Sequence, residues 1–516
     1  MSFTYAVVGA GRQGTAAAYD MARFGEAARV KIADVDPEAA ERAAARVNTL
    51  LGREIAQPFA VDAADQRALR TFLDDVDSFL SAVPYWLNPA IARIAIETRA
   101  SMTDLGGNTD LVREQLLLSP EAEAAGIAMI PDCGQVPGMG TSLSVYAMSL
   151  LDETDEVTFW DGGNPLHPKP PFNYSLTFNI AGLTNEYHGV AHFLREGQRV
   201  EVATFQVEDY EIVDFPSPIG RMEAFVAGGG TSTMPWTFEG KLRTLWNKTL
   251  RWPGHFAAWK AYMDAGLLET EPIEVGGVRV VPRDLLHAVL DPKLRAKPGE
   301  PDLVIVRVLA KGRRDGREAQ VVVELIDRFD EATGFTAMER TTGWDGSIKA
   351  ILNAQGVTPR GAHPAEIAVP GPLYAAELRR RGFSLTESAT PLGSGVGPTL
   401  GAASRPRKGA ACGRRRPHGP TGRLGGHRAA GTASLFGLTT GGTAHETPAG
   451  RGGIGRWAPG FVLGWRVPES AGDRAGWRRS GPAAHPAGHP RWPCSCAACP
   501  GITSRFRDPA RALSFC

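Results

Sequence analysis

The first two dozen residues constrain the fold more than any other stretch of this chain. A short apolar run, Ala6 to Gly9, leads into Gly9-Ala10-Gly11-Arg12-Gln13-Gly14, and Thr15 to Phe24 then carries helical period. Glycines at this spacing between a strand and a helix form a dinucleotide fingerprint: Gly9 permits the tight turn, Gly11 lets the backbone approach a pyrophosphate, and Gly14 lets the helix pack close to its strand. The phosphates would rest on the helix N-terminus, where unpaired N–H groups and the helix dipole favour negative charge. Ala10, Arg12 and Gln13 therefore join the three glycines as expected cofactor contacts. A second apolar run ends at Asp34, where an acid is expected to bind the adenosine ribose. A carboxylate there repels a 2′-phosphate, so NAD is the expected cofactor and NADP is disfavoured. The competing reading is a plain glycine turn beside a solvated acid.

From residue 5 to about 150, short apolar runs alternate with helical stretches, the pattern of a doubly wound parallel sheet. The expected strands are Ala6 to Gly9, Val30 to Asp34, Pro58 to Val61, Ser78 to Val83, Ser101 to Asp104 and Ala128 to Pro131. Pro37 to Leu51 reads as an amphipathic helix with proline just inside its start. Val83, Pro84 and Tyr85 end the fourth strand, and Asp104-Leu105-Gly106-Gly107 the fifth, at the edge where open α/β sheets hold ligands. Val83 and Pro84 are accordingly counted as cofactor-binding, although both segments also read as ordinary loops.

Near residue 155 the texture changes to period-two runs: Val157 to Trp160, Ser175 to Ile180 and Val200 to Val207. Leu303 to Leu309 and Ala319 to Ile326 read as a hairpin around Gly312 to Gly316, and Gly343 to Ala354 as a helix returning to the first domain. The expected organisation is a Rossmann domain at 1–135 with 343–385 packing back on it, then an α+β substrate and dimerisation domain at 136–342. From 388 to 516 Gly, Pro, Arg, Ala and His dominate without period, so this tail is expected to be disordered or a spurious extension. Cys133 is the only cysteine before residue 400, and Cys494, Cys496 and Cys499 read as incidental, so no metal site is expected. Lys+Arg and Asp+Glu balance at 56 each, which removes the field that would attract nucleic acid. With no export signal at the start and no apolar stretch of the roughly 20 residues a membrane helix needs, a cytoplasmic protein without membrane partners is expected.

Several short pieces, in order, resemble the saccharopine dehydrogenase-like family and, within it, the lysine 6-dehydrogenase branch. They are the N-terminal loop, Asp104-Leu105-Gly106-Gly107, Ile130-Pro131-Asp132-Cys133-Gly134 with Pro137-Gly138-Met139, Gly228-Gly229-Gly230-Thr231-Ser232-Thr233, and Lys248-Thr249-Leu250-Arg251 with Gly254-His255. The likeness continues through Val281-Pro282-Arg283-Asp284, Arg340-Thr341-Thr342, Pro370-Gly371 and Arg381-Gly382. It implies a Rossmann domain, a second domain like the catalytic domain of glyceraldehyde-3-phosphate dehydrogenase, and a homodimer. It also implies oxidation of an amine-bearing carbon of an amino acid, either as deamination of the terminal amine of lysine or as saccharopine-type dehydrogenation. A dinucleotide-binding protein without chemistry is the third alternative. Cys133 departs from the leucine often found in the lysine enzymes, and Trp236, Trp246 and Trp252 depart from an aliphatic or Tyr-rich stretch.

Chemistry nominates the site residues. A protonated amine has no lone pair for a forming C=N bond, so a base is required, and His255 is the first candidate. Arg251, four residues earlier, would share a face with it on a helix and fork onto the substrate α-carboxylate, with Lys248 as the substitute. Glu223 or Asp104 would take the α-ammonium, Tyr85 would line nicotinamide or substrate, and Thr231 with Ser232 would offer donors after three glycines. Each also has a bland reading: packed histidine, basic surface, cap, turn or loop. Cys133 reads as a buried thiol, with no base identifiable beside it.

Overall fold

The fingerprint segment folds as strand, glycine turn and helix because each part satisfies the next. In the computed structural model, which describes residues 2–392, β1 (Phe3–Val8) feeds α1 (Arg12–Phe24), then β2 (Ala27–Asp34), α2 (Pro37–Leu51), β3 (Ala56–Ala60), α3 (Gln66–Leu73) and β4 (Ser78–Ser81). A 3₁₀ turn at Tyr85–Leu87 precedes α4 (Asn88–Thr98), β5 (Ser101–Asp104), α5 (Thr109–Leu116), α6 (Ser119–Ala125) and β6 (Ala128–Ile130). The strands pair in parallel in the order β6-β5-β4-β1-β2-β3, extended beside β6 by the short strand Gly361–Ala362. The order reverses between β1 and β4, the crevice where such sheets bind ligands. Helix α2 shows the local logic: Asp36 accepts from Glu38 N, Pro37 occupies the first turn, and Gly52 closes the end left-handed.

The second domain begins with α7 (Met139–Met148) and the long β7 (Glu153–Pro165). There follow α8 (Ile180–Tyr187), β8 (Val190–Arg195), β9 (Gln198–Ala203), β10 (Glu211–Asp214), β11 (Arg221–Phe225), α9 (Met234–Thr237), β12 (Thr244–Arg251) and α10 (His255–Asp264). Next come β13 (Ile273–Val275), β14 (Val278–Val280), α11 (Pro282–Leu294), β15 (Asp302–Arg314) and β16 (Arg317–Arg328). The described chain ends with α12 (Ala337–Ala354), β17 (Gly361–Ala362), α13 (Ala365–Ala368), α14 (Gly371–Arg380) and β18 (Leu385–Pro391). A nine-stranded mixed sheet runs β10-β11-β12-β7-β15-β16-β18, with β8 and β9 joined at β12. Its inner face, including Val157, Phe159, Val306 and Val321, shares one core with Leu143 of α7, Tyr19 of α1 and Ile348 of α12. Among the described residues no helix is long and apolar enough to cross a membrane.

Helix α12 returns to the dinucleotide domain and lies along α1. A Cβ on Gly343 would come 2.5 Å from Gln13 O, so glycine lets the two helices touch. Trp344 Nε1 donates to Ala16 O at 3.0 Å, and Arg381, just past α14, donates to both carboxylate oxygens of buried Asp20 on α1 at 2.7 and 3.0 Å.

Five local expectations are corrected. Ser175 to Ile180 is not a strand: Asn179 accepts from Ala181 N and caps α8, whose buried Ile180, Leu183 and Tyr187 have helical spacing. The strand expected over Val200 to Val207 stops at Ala203, and Phe205 turns left-handed at φ 56°. The hairpin turn is not Gly312 to Gly316 but the two-residue pair Asp315-Gly316, at φ 51° and 70°, the geometry that matches strand twist. Helix α12 starts six residues before the expected Gly343, at Ala337, through a capping box in which Thr336 and Glu339 satisfy each other's backbone N–H. Residues 388–391, expected to open the tail, lie in β18, which pairs along β16. The tail cysteines lie outside the described residues.

Candidate active site

The glycine loop has the shape a dinucleotide requires. A Cβ on Gly14 would sit 1.8 Å from Gly9 O, so only glycine lets α1 start against the turn. Gly9 has φ 105°, and a Cβ there would meet Ala82 O at 2.7 Å and Val83 Cγ1 at 3.3 Å, which puts Val83 against the loop. Gly11 has no atom within 4 Å of a built Cβ, leaving its backbone open to an approaching phosphate. Asp34 Oδ2 accepts from Ala10 N at 2.7 Å and Oδ1 from Asp36 N at 3.0 Å, so the acid is tied to the loop and keeps lone pairs for ribose hydroxyls. Arg12 is drawn toward α12, its Nε 2.8 Å from Glu339 Oε1. These residues fit a dinucleotide. Pro84 is exposed at the same edge.

Across this edge, the second domain presents a buried arginine. Arg251 is the last residue of β12, Trp252-Pro253 follow, Gly254 turns left-handed at φ 98°, and His255 opens α10. The expected shared helical face is therefore corrected: a strand end and a helix start bring the two together through a third residue. Tyr187 Oη, at the end of α8, accepts from Arg251 Nε at 2.9 Å and lies 2.9 Å from His255 Nε2. His255 Nδ1 lies 3.3 Å from Phe172 O, so the neutral ring donates there and accepts the phenol proton at Nε2. Burial, seconded by the charge of Arg251, holds the His255 pKa well below its ordinary value. With both nitrogens engaged inside the protein, His255 fixes Tyr187 and is not free to act as the base on a substrate. Arg251 Nη1 donates to Leu250 O at 2.9 Å, while Nη2 has no protein partner among the described residues. The guanidinium also lies 5.2 Å from the centre of the Tyr174 ring.

Two acids face Arg251. Asp161 of β7 accepts from Asn247 Nδ2 at 2.9 Å, and burial raises its pKa to about 6 against the pull of that bond and of Arg251. Glu186 of α8 is half-buried and its pKa is pushed up to about 8 by desolvation, with Arg251 opposing. Asn247 Oδ1 lies 2.1 Å from where a Cβ of Gly230 would stand, so the Gly228 to Gly230 turn is a close approach of backbone to side chain. Sequence inspection missed Glu186, Asp161, Tyr174 and Tyr187, because they are scattered singly along the chain outside any motif.

The remaining candidates fall elsewhere. Glu223 accepts from Gly254 N and Phe256 N, both at 2.9 Å, and so caps α10 instead of meeting an ammonium. Asp104 accepts from Gly106 N at 2.8 Å, Asp132 N at 3.3 Å and Gln115 Nε2 at 2.8 Å, which makes it the brace of its loop. Thr231 is buried, its hydroxyl donating to His192 O at 2.8 Å. Ser232 Oγ instead crosses to the dinucleotide domain and donates to Asp132 Oδ2 at 2.5 Å. Both partners are left-handed, at φ 47° and 57°, a conformation side chains rarely take. Tyr85 is half-buried at the sheet edge against Gly107, whose built Cβ would lie 2.8 Å from its ring. Lys248 pairs with Glu211 at 3.3 Å. Cys133 is fully buried and burial raises its pKa well above the ordinary thiol value, consistent with an inert thiol. Trp246 packs on Phe193, Trp252 Nε1 donates to Pro165 O, and Trp236 lies between Arg113 and Arg199.

The family model of the saccharopine dehydrogenase NADP binding domain matches residues 5–130, and that of the saccharopine dehydrogenase C-terminal domain matches residues 134–383. The chain belongs to the saccharopine dehydrogenase family. Its N-terminal part is thus a nicotinamide dinucleotide-binding domain. The saccharopine dehydrogenase [NADP(+), L-glutamate-forming] of Saccharomyces cerevisiae is 24% identical over 276 residues, 51% of this chain and 60% of that protein. The carboxynorspermidine synthase of Vibrio alginolyticus is 25% identical over 51% of this chain and 66% of its own length. The matched stretch thus spans less than two thirds of either relative. In fold, the chain is similar to the apo saccharopine dehydrogenase of Saccharomyces cerevisiae, with TM-score 0.61 and 18% identity over 75% of this chain and 100% of that one. It is also similar to the homospermidine synthase of Legionella pneumophila in complex with NAD, with TM-score 0.52 and 12% identity over 76% and 92%.

Proposed function

We propose that this protein is a dinucleotide-dependent oxidoreductase acting on a C–N bond, and that it deaminates the terminal amine of L-lysine or a similar amino acid to the semialdehyde and ammonia. One observation carries the reading: buried Arg251, whose Nη2 has no partner among the described residues, interacts through its charge with the acids Glu186 and Asp161. A guanidinium takes an α-carboxylate in a fork, and carboxylates beside it suit ammonium groups. A bound nicotinamide supplies the hydride acceptor. The chain itself orients the carboxylate through Arg251, holds that arginine through Tyr187 and His255, and excludes water with the aromatic wall of Tyr174 and Tyr187.

A saccharopine-type dehydrogenase, acting on a secondary amine between two amino acids, is the second reading. Arg283 favours it: its Nε donates to Leu268 O at 2.7 Å, Nη2 is buried without a hydrogen-bond partner among the described residues, and its charge interacts with Glu269, then Asp284, then Tyr85 at the sheet edge. A second carboxylate there would satisfy that nitrogen. NAD is the proposed cofactor on the strength of Asp34, although the matching family model is named for NADP. A cytoplasmic homodimer is the working assembly, to be checked by sedimentation. The deciding experiment follows absorbance of the reduced nicotinamide with L-lysine, L-ornithine and saccharopine, each with NAD and NADP. Turnover of L-lysine supports the first reading, turnover of saccharopine alone replaces it with the second, and dinucleotide binding without turnover of any amine defeats both.

A further inference from the structure

The acids at this edge differ in what they have left to offer. Asp104 is taken by three donors, Glu223 by two backbone N–H groups and the Tyr210 hydroxyl, Asp161 by Asn247, and Asp132 is bound at Oδ2 by Ser232 while its Oδ1 is closed off in the interior. Among the described residues, no hydrogen-bond donor or ion-pair partner reaches the Glu186 carboxylate. Its backbone, by contrast, is held on three sides. One residue earlier, Asn185 Nδ2 donates to Gly107 O at 3.2 Å, fastening the last turn of α8 to the loop after β5 of the dinucleotide domain. At Glu186 itself, the carbonyl accepts from Gly228 N at 2.6 Å. One residue later, Tyr187 engages Arg251 and His255. A carboxylate pinned by its backbone and unspent in its side chain, where the two domains meet, is prepared to meet something absent from the protein.

We propose that Glu186 accepts a proton from the substrate amine, freeing the nitrogen lone pair as hydride leaves the adjacent carbon. The proposal rests on the amine-oxidation reading above. One N–H bond of the ammonium breaks and its proton passes to a Glu186 oxygen. The lone pair then forms the C=N bond while the C–H electron pair passes to the oxidised nicotinamide. Water adds to the resulting iminium, which separates into aldehyde and ammonium, and Glu186 returns its proton to solvent. The groups facing the carboxylate are Arg251 from β12, Asp161 from β7, and the phenols of Tyr174 and Tyr187. Arg251 draws the carboxylate toward its charged form, while burial and Asp161 push it toward the neutral form. The balance at about 8 suits a group that must both take and release a proton near neutral pH.

The test compares wild type, Glu186→Gln and Glu186→Asp with L-lysine and oxidised dinucleotide across pH 6 to 11, with NADH binding by calorimetry and thermal unfolding measured in parallel. Wild-type kcat/KM should rise with pH through a midpoint near 8, because the base must be ionised. Glu186→Gln should lower kcat about 10²–10⁴-fold and move the midpoint toward the roughly 10.4 of a free lysine amine. NADH affinity and melting temperature should stay unchanged, and Glu186→Asp should recover part of the rate at the original midpoint. An unshifted midpoint in the Gln variant overturns the proposal, as does loss of rate accompanied by equal loss of NADH binding. If the Gln variant does not fold, the Asp variant decides: a lowered rate at the original midpoint, with NADH affinity kept, supports the proposal, and a rate equal to wild type overturns it. Wild type that oxidises no amine removes the functional reading as well, whereas an active wild type with an unaltered Gln variant removes only Glu186.

Discussion

Replacing Tyr187 with Phe isolates the bond that aims Arg251. The ring would stay packed, since its neighbours Phe205 and Trp259 lie ring against ring at centroid distances of 4.6 and 5.1 Å. Only the oxygen is lost, and with it the acceptor for Arg251 Nε and the donor to His255 Nε2, both at 2.9 Å. A hydrogen bond to a charged group contributes about 1.5–3 kcal/mol. At about 1.4 kcal/mol per decade, KM for L-lysine should rise about 10-fold to 150-fold if the guanidinium loses its aim. KM for the dinucleotide should hardly change, because the glycine loop belongs to the other domain. The assay is initial-rate nicotinamide reduction with both substrates varied, for Tyr187→Phe, Arg251→Ala and the double variant. If the phenol acts through the arginine, the double variant is no worse than Arg251→Ala alone. Penalties that add, or an unchanged KM for the amino acid in Tyr187→Phe, refute the relay.

Other perturbations reach the remaining elements. Asp34→Ser should weaken NAD and relax discrimination against NADP, read as the ratio of kcat/KM values for the two cofactors. Asp132 has its pKa raised to about 7, chiefly by burial, whereas an unfolded aspartate titrates near 3.9. The native state therefore keeps a proton that the unfolded state has released, and this group's stabilising contribution fades as pH rises from about 4 to 7. Asp132→Asn should remove that loss, so its melting temperature should gain on wild type across the window; a constant difference from pH 4 to 8 counts against it. Ending the chain after Ser384 instead of after Leu392 deletes β18 and the Glu387 contacts of Tyr146 and Arg379. The shorter form should melt at a lower temperature, and equal melting of the two would show that this strand contributes nothing.

The sheet was legible where the chemistry is local. The boundaries of α2 match the expected Pro37 to Leu51 because proline opens the segment, and an aspartate cap and a closing glycine flank it directly. The glycine loop was legible for the same reason. The second domain was read less well, since Ser175 to Ile180 looks strand-like until Asn179 is seen to cap a helix, a choice settled by what Tyr187 packs against. The site follows the same division. Arg251 and His255 stand out by residue type, yet a tyrosine 64 residues before Arg251 connects them. Glu223 and Asp104 have the right chemistry for an ammonium, but helix and loop N–H groups claim them first, and only three-dimensional neighbours disclose that. Glu186 carries no sequence signal apart from its carboxylate.

The return of α12 and α14 onto α1 makes the nucleotide module a split unit, assembled from both ends of a much longer stretch of polypeptide. During synthesis, α1 must wait for the 328 residues that separate Ala16 from Trp344 and the 361 that separate Asp20 from Arg381, leaving Asp20 without its guanidinium until then. An excised N-terminal fragment would lack that closing layer, so any isolated Rossmann construction needs the distant helices supplied, fused or added in trans.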